Sequence, residues 1–352
     1  MMGPTPSKDF NPIRDLPDMK GKVVVVTGSS SGIGFAILQH LCRLGAKVYM
    51  TARSETRATS AMERLEKEGK EPGNGEVLWH QLDLVDPRKA KESAEKFMEK
   101  EQKLDILINN AGLIADRGKA NVNPDGLQDT MAVNYLGTYV FTQTLLPLLE
   151  KTAETGADVR LINVGSNAHE EVTFTDFSTV EAWNHTFRWS LLPTFSRYKY
   201  SKLALHTWSN YLARRLTDKN SKVLLIVAHP GPIMSDGALS NLRSLPVPKF
   251  WVWLLSLWLY PQEMGGYAPA YAACAPRADA LPNPAPNETE TLAPKSKDCF
   301  KPNAHIVHGT YIVPPNINAE QGAAARDVEK QKALEACTRS FLEKIGLDVP
   351  AV

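Results

Sequence analysis

Tyr198 and Lys202 stand four residues apart in the run YKYSK, inside a segment, Tyr198–Leu216, whose apolar spacing predicts a helix. On a helix that interval puts both side chains on one face. A phenol titrates near ~10, too high for a base at neutral pH, and a cation within about 4–6 Å favours the phenolate. Lys202 is therefore expected to lower the pKa of Tyr198, which would give a proton to a carbonyl oxygen or take one from an alcohol. Ser166, just beyond the predicted strand Val159–Val164, is placed to hydrogen-bond the same oxygen. A Tyr-x-x-x-Lys spacing alone is common in helices for structural reasons, so its meaning depends on what else the chain supplies.

The run TGSSSGIG, Thr27–Gly34, supplies it. It follows the predicted strand Lys22–Thr27 (KVVVVT) and opens the predicted helix Ile33–Leu44. In that context Gly28 turns tightly, Gly32 lets backbone approach a pyrophosphate, and Gly34 permits close packing of helix on strand. The helix N-terminus at Ile33 adds its positive pole, and Ser30 and Ser31 offer hydroxyls. The expectation is a dinucleotide site; the plainer alternative is a tight strand-to-helix turn. The second strand, Ala46–Thr51, is followed by Ala52 and Arg53, with no carboxylate to accept from an adenosine ribose hydroxyl. Arg53 instead offers a planar fork suited to a 2′-phosphate, so NADP(H) is the expected cofactor, against an ordinary solvated charge. Asp83, with Leu84 beside it, closes the third strand where an adenine would lie, or serves as a turn residue.

The elements that must position these groups alternate. After the first βαβ unit come a charged helix Thr56–Glu68, a strand Val77–Leu82, and a helix opened by Asp86 as N-cap and Pro87 as first residue. Strand Asp105–Asn109, a helix around Val133–Leu149, strand Val159–Val164, the Tyr198–Leu216 helix and strand Lys222–Ala228 follow. Six strands alternating with helices predict an α/β fold, a doubly wound parallel sheet of the Rossmann type in a single domain with a C-terminal extension. The division expected is an extension at 1–20, a Rossmann-type body at 21–280 with substrate loops 167–197 and 236–260, a Pro-rich loop at 281–303, and a last strand (Gly309–Val313) with a terminal helix (Arg326–Lys344) in 304–352.

With TGSSSGIG, Asp83, NNAG (109–112), Asn134 in VNYLG, Ser166 in NVGSNAH, YKYSK and PGPIMS (230–235) in this order, the chain resembles the short-chain dehydrogenase/reductase family over roughly Gly21–Tyr271. VNYLGTY, SNAH and HPG are most similar to the retinol dehydrogenase-like branch and its fungal relatives, including those of secondary metabolism. The resemblance implies an oxidoreductase acting on CH–OH groups with NADP (EC 1.1.1.-). It implies that Lys202 also binds the nicotinamide ribose and that Asn134 completes a proton relay through water, where a blander role is to cap a helical kink. Asn109, Asn110, Ala111 and Gly112 would line the cofactor through backbone groups. Pro230, Ile233 and Ser235 would meet the carboxamide. Two departures are Gly165, where many relatives place another serine and where no consequence is expected, and Ser235 for the usual threonine.

The 31 residues between Ser166 and Tyr198, with Trp183, Phe187 and Trp189, and the stretch after PGPIMS, with Trp251, Trp253 and Trp258, are expected to wall a pocket above the nicotinamide. A bulky lipophilic alcohol or ketone is the expected substrate: a terpenoid, polyketide, steroid or retinoid. The run Phe250–Tyr260 (FWVWLLSLWLY) has eleven residues where a bilayer span needs about twenty, leaving packing, dimer contact or shallow membrane attachment open. A lyase, isomerase or cyclase using the same pocket without net redox, and a non-catalytic NADP(H)-binding protein, are the competing functions.

Forty Lys and Arg against 39 Asp and Glu leave a formal charge of +1, which gives no field to gather nucleic acid. No secretory h-region precedes Lys20, so a cytoplasmic protein is expected. Cys42, Cys274, Cys299 and Cys337 are scattered without a CxxC, and His305 and His308 lack ligand partners, so no metal is expected and the histidines read as surface residues. A homo-oligomer is left open.

Overall fold

Val23–Val26 form strand β1, and all four side chains are buried. Successive strand residues face opposite ways: Val23 and Val25 enter one apolar cluster, Val24 and Val26 another. An unbroken β-branched run results when both sheet faces are covered. Each fully buried valine contributes about 1.5–3 kcal/mol by transfer from water.

The structure, a computed structural model, describes residues 5–114, 121–234, 259–277 and 306–351. Seven further strands join β1: β2 (Lys47–Ala52), β3 (Val77–Gln81), β4 (Ile106–Asn109), β5 (Arg160–Val164), β6 (Leu224–Ala228), β7 (Tyr311–Val313) and β8 (Ile317–Ala319). Their order is β3-β2-β1-β4-β5-β6-β7-β8, parallel up to β7, with β8 antiparallel at the edge. This is the doubly wound α/β sheet expected. Its order reverses between β1 and β4, so their carboxyl ends open the crevice in which such folds hold ligands.

Helices Gly32–Arg43, Glu55–Glu68 and Pro87–Lys100 lie where periodicity puts them. The Asp86 carboxylate accepts from the Arg88 N–H at 2.9 Å, with Pro87 in the first turn. Two helices differ. The one expected from Val133 begins as a π-helix, Ala132–Gly137, and continues as Thr138–Glu154. An added Cβ at Gly137 would lie 2.2 Å from the Leu84 carbonyl oxygen, a close approach that only glycine permits. The helix carrying Tyr198 runs Pro193–Asp218, a turn earlier than expected, because Pro193 supplies a preset φ at its start.

The strand expected to be last is not. The chain turns through Pro314, Pro315 and Asn316, whose φ is 67°, into β8, and the terminal helix Val328–Lys344 follows. That helix packs on Pro193–Asp218, and its Thr338 hydroxyl lies 2.6 Å from that of Tyr135 in the π-helix. Phe10, Leu16 and Met19 of the N-terminal extension are buried, Phe10 edge-on to Tyr267 and Tyr271. Among the described residues no helix is long and apolar enough to cross a membrane.

Candidate active site

The glycine loop is held from below by threonines. The Thr51 hydroxyl accepts the Gly28 N–H at 3.0 Å, and Thr27 Oγ1 accepts the N–H groups of Asn110 and Ala111, each at 2.9 Å. Gly28 has φ 63°, and a Cβ there would sit 2.9 Å from Ala111 Cα. A Cβ on Gly34 would meet both Asn110 Nδ2 and the Gly28 carbonyl oxygen at 2.4 Å. At Gly32, φ 59°, nothing lies within 4 Å of where a Cβ would be. Close packing beneath and clear space above is the cradle a pyrophosphate needs, at the N-terminus of helix Gly32–Arg43. Ile33 and Ser30 are half-buried and Ser31 is exposed at the N-cap, without a side-chain cap bond.

Other cofactor candidates divide between the cradle and its support. Arg53 is exposed just past β2, and its guanidinium has no ion-pair partner among the described residues. The Asp83 carboxylate accepts the Val85 N–H at 3.1 Å, a turn-forming bond, while Leu84 is buried. Asn110 donates to the Thr27 carbonyl at 2.9 Å. Asn109 is turned inward, donating to Thr142 Oγ1 and Asn163 Oδ1, both at 2.8 Å, and Asn163 donates in turn to Ser209. Pro230 and Ile233 are buried, Ile233 bridging Tyr260; Ser235 lies outside the described residues.

Ser166, Tyr198, Lys202 and Asn134 come together at the carboxyl end of β5. The Ser166 side chain hydrogen-bonds Tyr198. Lys202 Nζ is 5.9 Å from the centroid of the Tyr198 ring and donates to the Val164 carbonyl at 2.8 Å. A Cβ on Gly112 would lie 3.7 Å from both Lys202 Nζ and Asn134 Oδ1, which puts the end of NNAG beside the pair. Asn134 is fully engaged: Oδ1 accepts the Leu113 N–H at 2.6 Å, and Nδ2 donates to the Leu113 carbonyl at 3.0 Å and to Ser201 Oγ at 2.8 Å. Its amide thus clamps the chain after Gly112.

Burial dominates the electrostatics of the pair. Burial pushes the Tyr198 phenol above its usual range, opposed by the Ser166 hydrogen bond. Burial lowers Lys202 itself to about 8. The reason is geometric: the ammonium points at the Val164 carbonyl, and desolvation disfavours the charged form of both groups.

Gly165 departs from expectation. A Cβ there would fall 2.3 Å from His206 Nε2, so any side chain at 165 would have to displace that ring, where no consequence was expected. His206 and the neighbouring His169 are the site residues that sequence reading missed. The available signal was spacing, since His206 stands one turn beyond Lys202 on the same helix face.

Of the expected pocket walls, Trp183 is not one. It is 1% exposed, edge-on to Tyr135 at 5.7 Å, with its indole N–H on the Phe177 carbonyl. Trp189, Leu191 and Leu192 are exposed, and the Phe195 ring stacks on that of Tyr198 at 5.9 Å and 17°. A cleft of 710 Å³ opens among Glu171, His185, Arg188, Trp189, Ser196 and Lys199, and neither Ser166 nor Tyr198 lines it. Trp251, Trp253 and Trp258, His305 and the 281–303 stretch lie outside the described residues. His308 is no surface residue: it is half-buried and bonds the Leu225 N–H and the Ala213 carbonyl. Among the described residues no group of His, Cys, Asp and Glu could hold a metal.

Residues 22–178 match the family model of the short chain dehydrogenases. The chain is 39% identical over 330 residues to a short-chain dehydrogenase/reductase of Armillaria gallica, covering 94% of this chain and 95% of that one. It is 31% identical over 292 residues to retinol dehydrogenase 14 of Mus musculus, covering 80% and 82%. The fold is similar to that of the Pseudomonas aeruginosa RhlG/NADP active-site complex, with TM-score 0.58, 24% identity, and 87% of this chain and 98% of that one covered. L-sorbose reductase from Gluconobacter frateurii, complexed with NADPH and L-sorbose, gives TM-score 0.56 at 20% identity, covering 73% and 91%. The chain belongs to the short-chain dehydrogenase/reductase family of oxidoreductases, in its retinol dehydrogenase-like branch.

Proposed function

We propose that the protein is an NADP(H)-dependent oxidoreductase that interconverts an alcohol and a ketone or aldehyde on a bulky lipophilic molecule. The observation that carries this reading is the gathering of Ser166, Tyr198 and Lys202 at the carboxyl end of β5, with Gly112 and the glycine cradle beside them. Gly28, Gly32 and Gly34 with Ser30 and Ser31 would hold the pyrophosphate, and Arg53 a 2′-phosphate. The solved relatives in complex with NADP or NADPH support that choice of cofactor. Asp83, Leu84 and the backbone of Asn109–Gly112 would flank the adenosine, and Pro230, Ile233 and Ser235 the carboxamide. Lys202 would bind the ribose. The dinucleotide, when bound, gives or takes the hydride.

The chain's own groups manage the proton. Tyr198, half-buried and with its phenol pushed above the usual range, keeps its proton at neutral pH and is a donor to a carbonyl oxygen; in the opposite direction it must first lose that proton. Ser166 holds the oxygen next to the phenol, a contact that strengthens as negative charge develops there. The substrate class follows from the approach to Tyr198: Trp189 is 88% and Leu191 100% exposed, with Leu192 and Phe195 beside them, an apolar rim suited to a lipophilic molecule. The retinol dehydrogenase named among the relatives agrees with that class.

The test is nicotinamide absorbance with NADPH and all-trans-retinal, decanal, a steroid ketone and, as a small polar control, glyceraldehyde. Turnover should favour the lipophilic carbonyls. Tyr198→Phe should lower kcat by about 10²–10⁴-fold with little change in NADPH affinity. Product formed without net cofactor oxidation would mean a lyase or isomerase, and binding without chemistry a non-catalytic protein.

A further inference from the structure

Ser166 is held by more than its own helix cap. Its main-chain N–H donates to His206 Nε2 at 3.2 Å, and its main-chain carbonyl lies 2.6 Å from His169 Nδ1. The two imidazoles are stacked, centroids 3.7 Å apart at an interplanar angle of 12°, with Tyr311 of β7 edge-on to both. Each ring is fixed at its other nitrogen by the segment that follows β8. The Gly322 N–H donates to His169 Nε2 at 2.9 Å, and Gln321 Oε1 lies 2.8 Å from His206 Nδ1. Gln321 is in turn paired with Asn210 on the Pro193–Asp218 helix, through two bonds of 3.0 Å.

These partners determine the tautomers. A backbone N–H can only donate, so His206 Nε2 and His169 Nε2 are both acceptors, and each neutral ring carries its hydrogen on Nδ1. His206 then donates to the Gln321 carbonyl and His169 to the Ser166 carbonyl. No bond in the chain Gln321–His206–Ser166–His169–Gly322 is left with two donors or two acceptors. Both rings and Ser166 are buried. The space that His206 Nε2 occupies is the space a side chain at 165 would need, so Gly165 and His206 form one steric unit.

We propose that the stacked His169–His206 pair, braced by Gln321 and Gly322, is a positioning clamp for Ser166, which makes the segment after β8 a working part of the active site. This rests on the reading of Ser166 as the group that binds the reacting oxygen. The pair never touches substrate. It fixes both sides of the serine backbone, and so the direction in which Oγ faces Tyr198; a misplacement of about 1 Å in such a group costs on the order of 10²-fold in rate.

The clamp is tested on the full chain with NADPH and decanal as the probe pair, alongside ¹⁵N spectra of the imidazoles and hydrogen exchange of the Ser166 amide. His206→Leu removes the acceptor and should lower kcat about 10–100-fold, with KM and the NADPH Kd within about 3-fold, while exchange at Ser166 rises. His206→Gln, whose amide oxygen stands in for Nε2, should recover to within about 5-fold of the parent. Gly165→Ser alone should lower kcat, and Gly165→Ser with His206→Ala should exceed it, because the serine then has room. The parent spectra should show Nδ1–H tautomers at both histidines. A His206→Leu protein with the parent's kcat and a protected Ser166 amide, or Nε2–H tautomers in the parent, would overturn the clamp. A parent that turns over no carbonyl despite the expected tautomers would overturn instead the catalytic reading of Ser166, and with it the positioning role.

Discussion

In the proposed function Arg53 is the side chain that would divide two cofactors. Its guanidinium stands exposed past β2 without an ion pair among the described residues, so it is available to a phosphate and irrelevant to a bare hydroxyl. Arg53→Ala should weaken NADPH about 10–100-fold, as loss of one or two charge-assisted hydrogen bonds implies, and leave NADH nearly unchanged. Fluorescence titration with both dinucleotides checks it, and equal losses would remove the assignment. Arg53 was legible because it lies next to a strand end that hydropathy locates. The roles of His169 and His206 were not, because the nitrogens of His206 are claimed by residues 40 and 115 positions away along the chain, and Nε2 of His169 by one 153 positions away. Gly165 failed for the same reason: the ring that crowds it belongs to another element.

Among the elements, the π-helix Ala132–Gly137 is where local propensity and packing disagree. Apolar periodicity continues through it, so it reads as ordinary helix, yet the Leu84 carbonyl presses on Gly137 and the Asn134 amide grips Leu113. Bulges of this kind recur at functional sites because they turn one side chain out of register. Gly137→Ala would drive a methyl to within 2.2 Å of that carbonyl. The expected cost is about 1–3 kcal/mol in urea unfolding, together with a lower kcat, since Asn134 and the end of NNAG move with the helix. Unaltered unfolding midpoint and rate would show that the segment relaxes freely. The substrate segment 167–197 divides in the same manner. Phe177 and Trp183 anchor it in the core, while Trp189–Leu192 remain at the surface, a split that aromatic content alone does not reveal.

The molecule as a whole carries a pH signature in its buried histidines. Burial lowers His40, His80 and His229 from the ordinary 6.5 to about 4, and pushes His206 well below its ordinary value. Below pH ~6.5 the unfolded chain takes up protons that the folded chain refuses. Stability is therefore full above that pH and falls on acidification, by about 1.4 kcal/mol per pH unit for each such histidine until its folded pKa is reached. Urea midpoints measured from pH 7.5 to 5 should drop steeply; a flat profile would mean that these rings are hydrated. The depressed carboxylate of Asp125, held by Arg88, adds in the same direction at lower pH.

Composition, strand runs and glycine spacing by themselves determined the sheet class, the cradle and the candidate Tyr198–Lys202 face, because each depends on residues close together in the chain and on the periods of 2.0 and 3.6 that backbone geometry imposes. Tertiary structure decided the rest. That β8 extends the sheet, that Lys202 points at Val164, that Asn134 clamps Leu113 and that two histidines grip Ser166 depend chiefly on contacts between distant segments. Such contacts are set by volume and by the need to satisfy every buried polar group, and only the β7–β8 pairing and the bond between Ser166 and His169 have both partners in one short stretch of sequence.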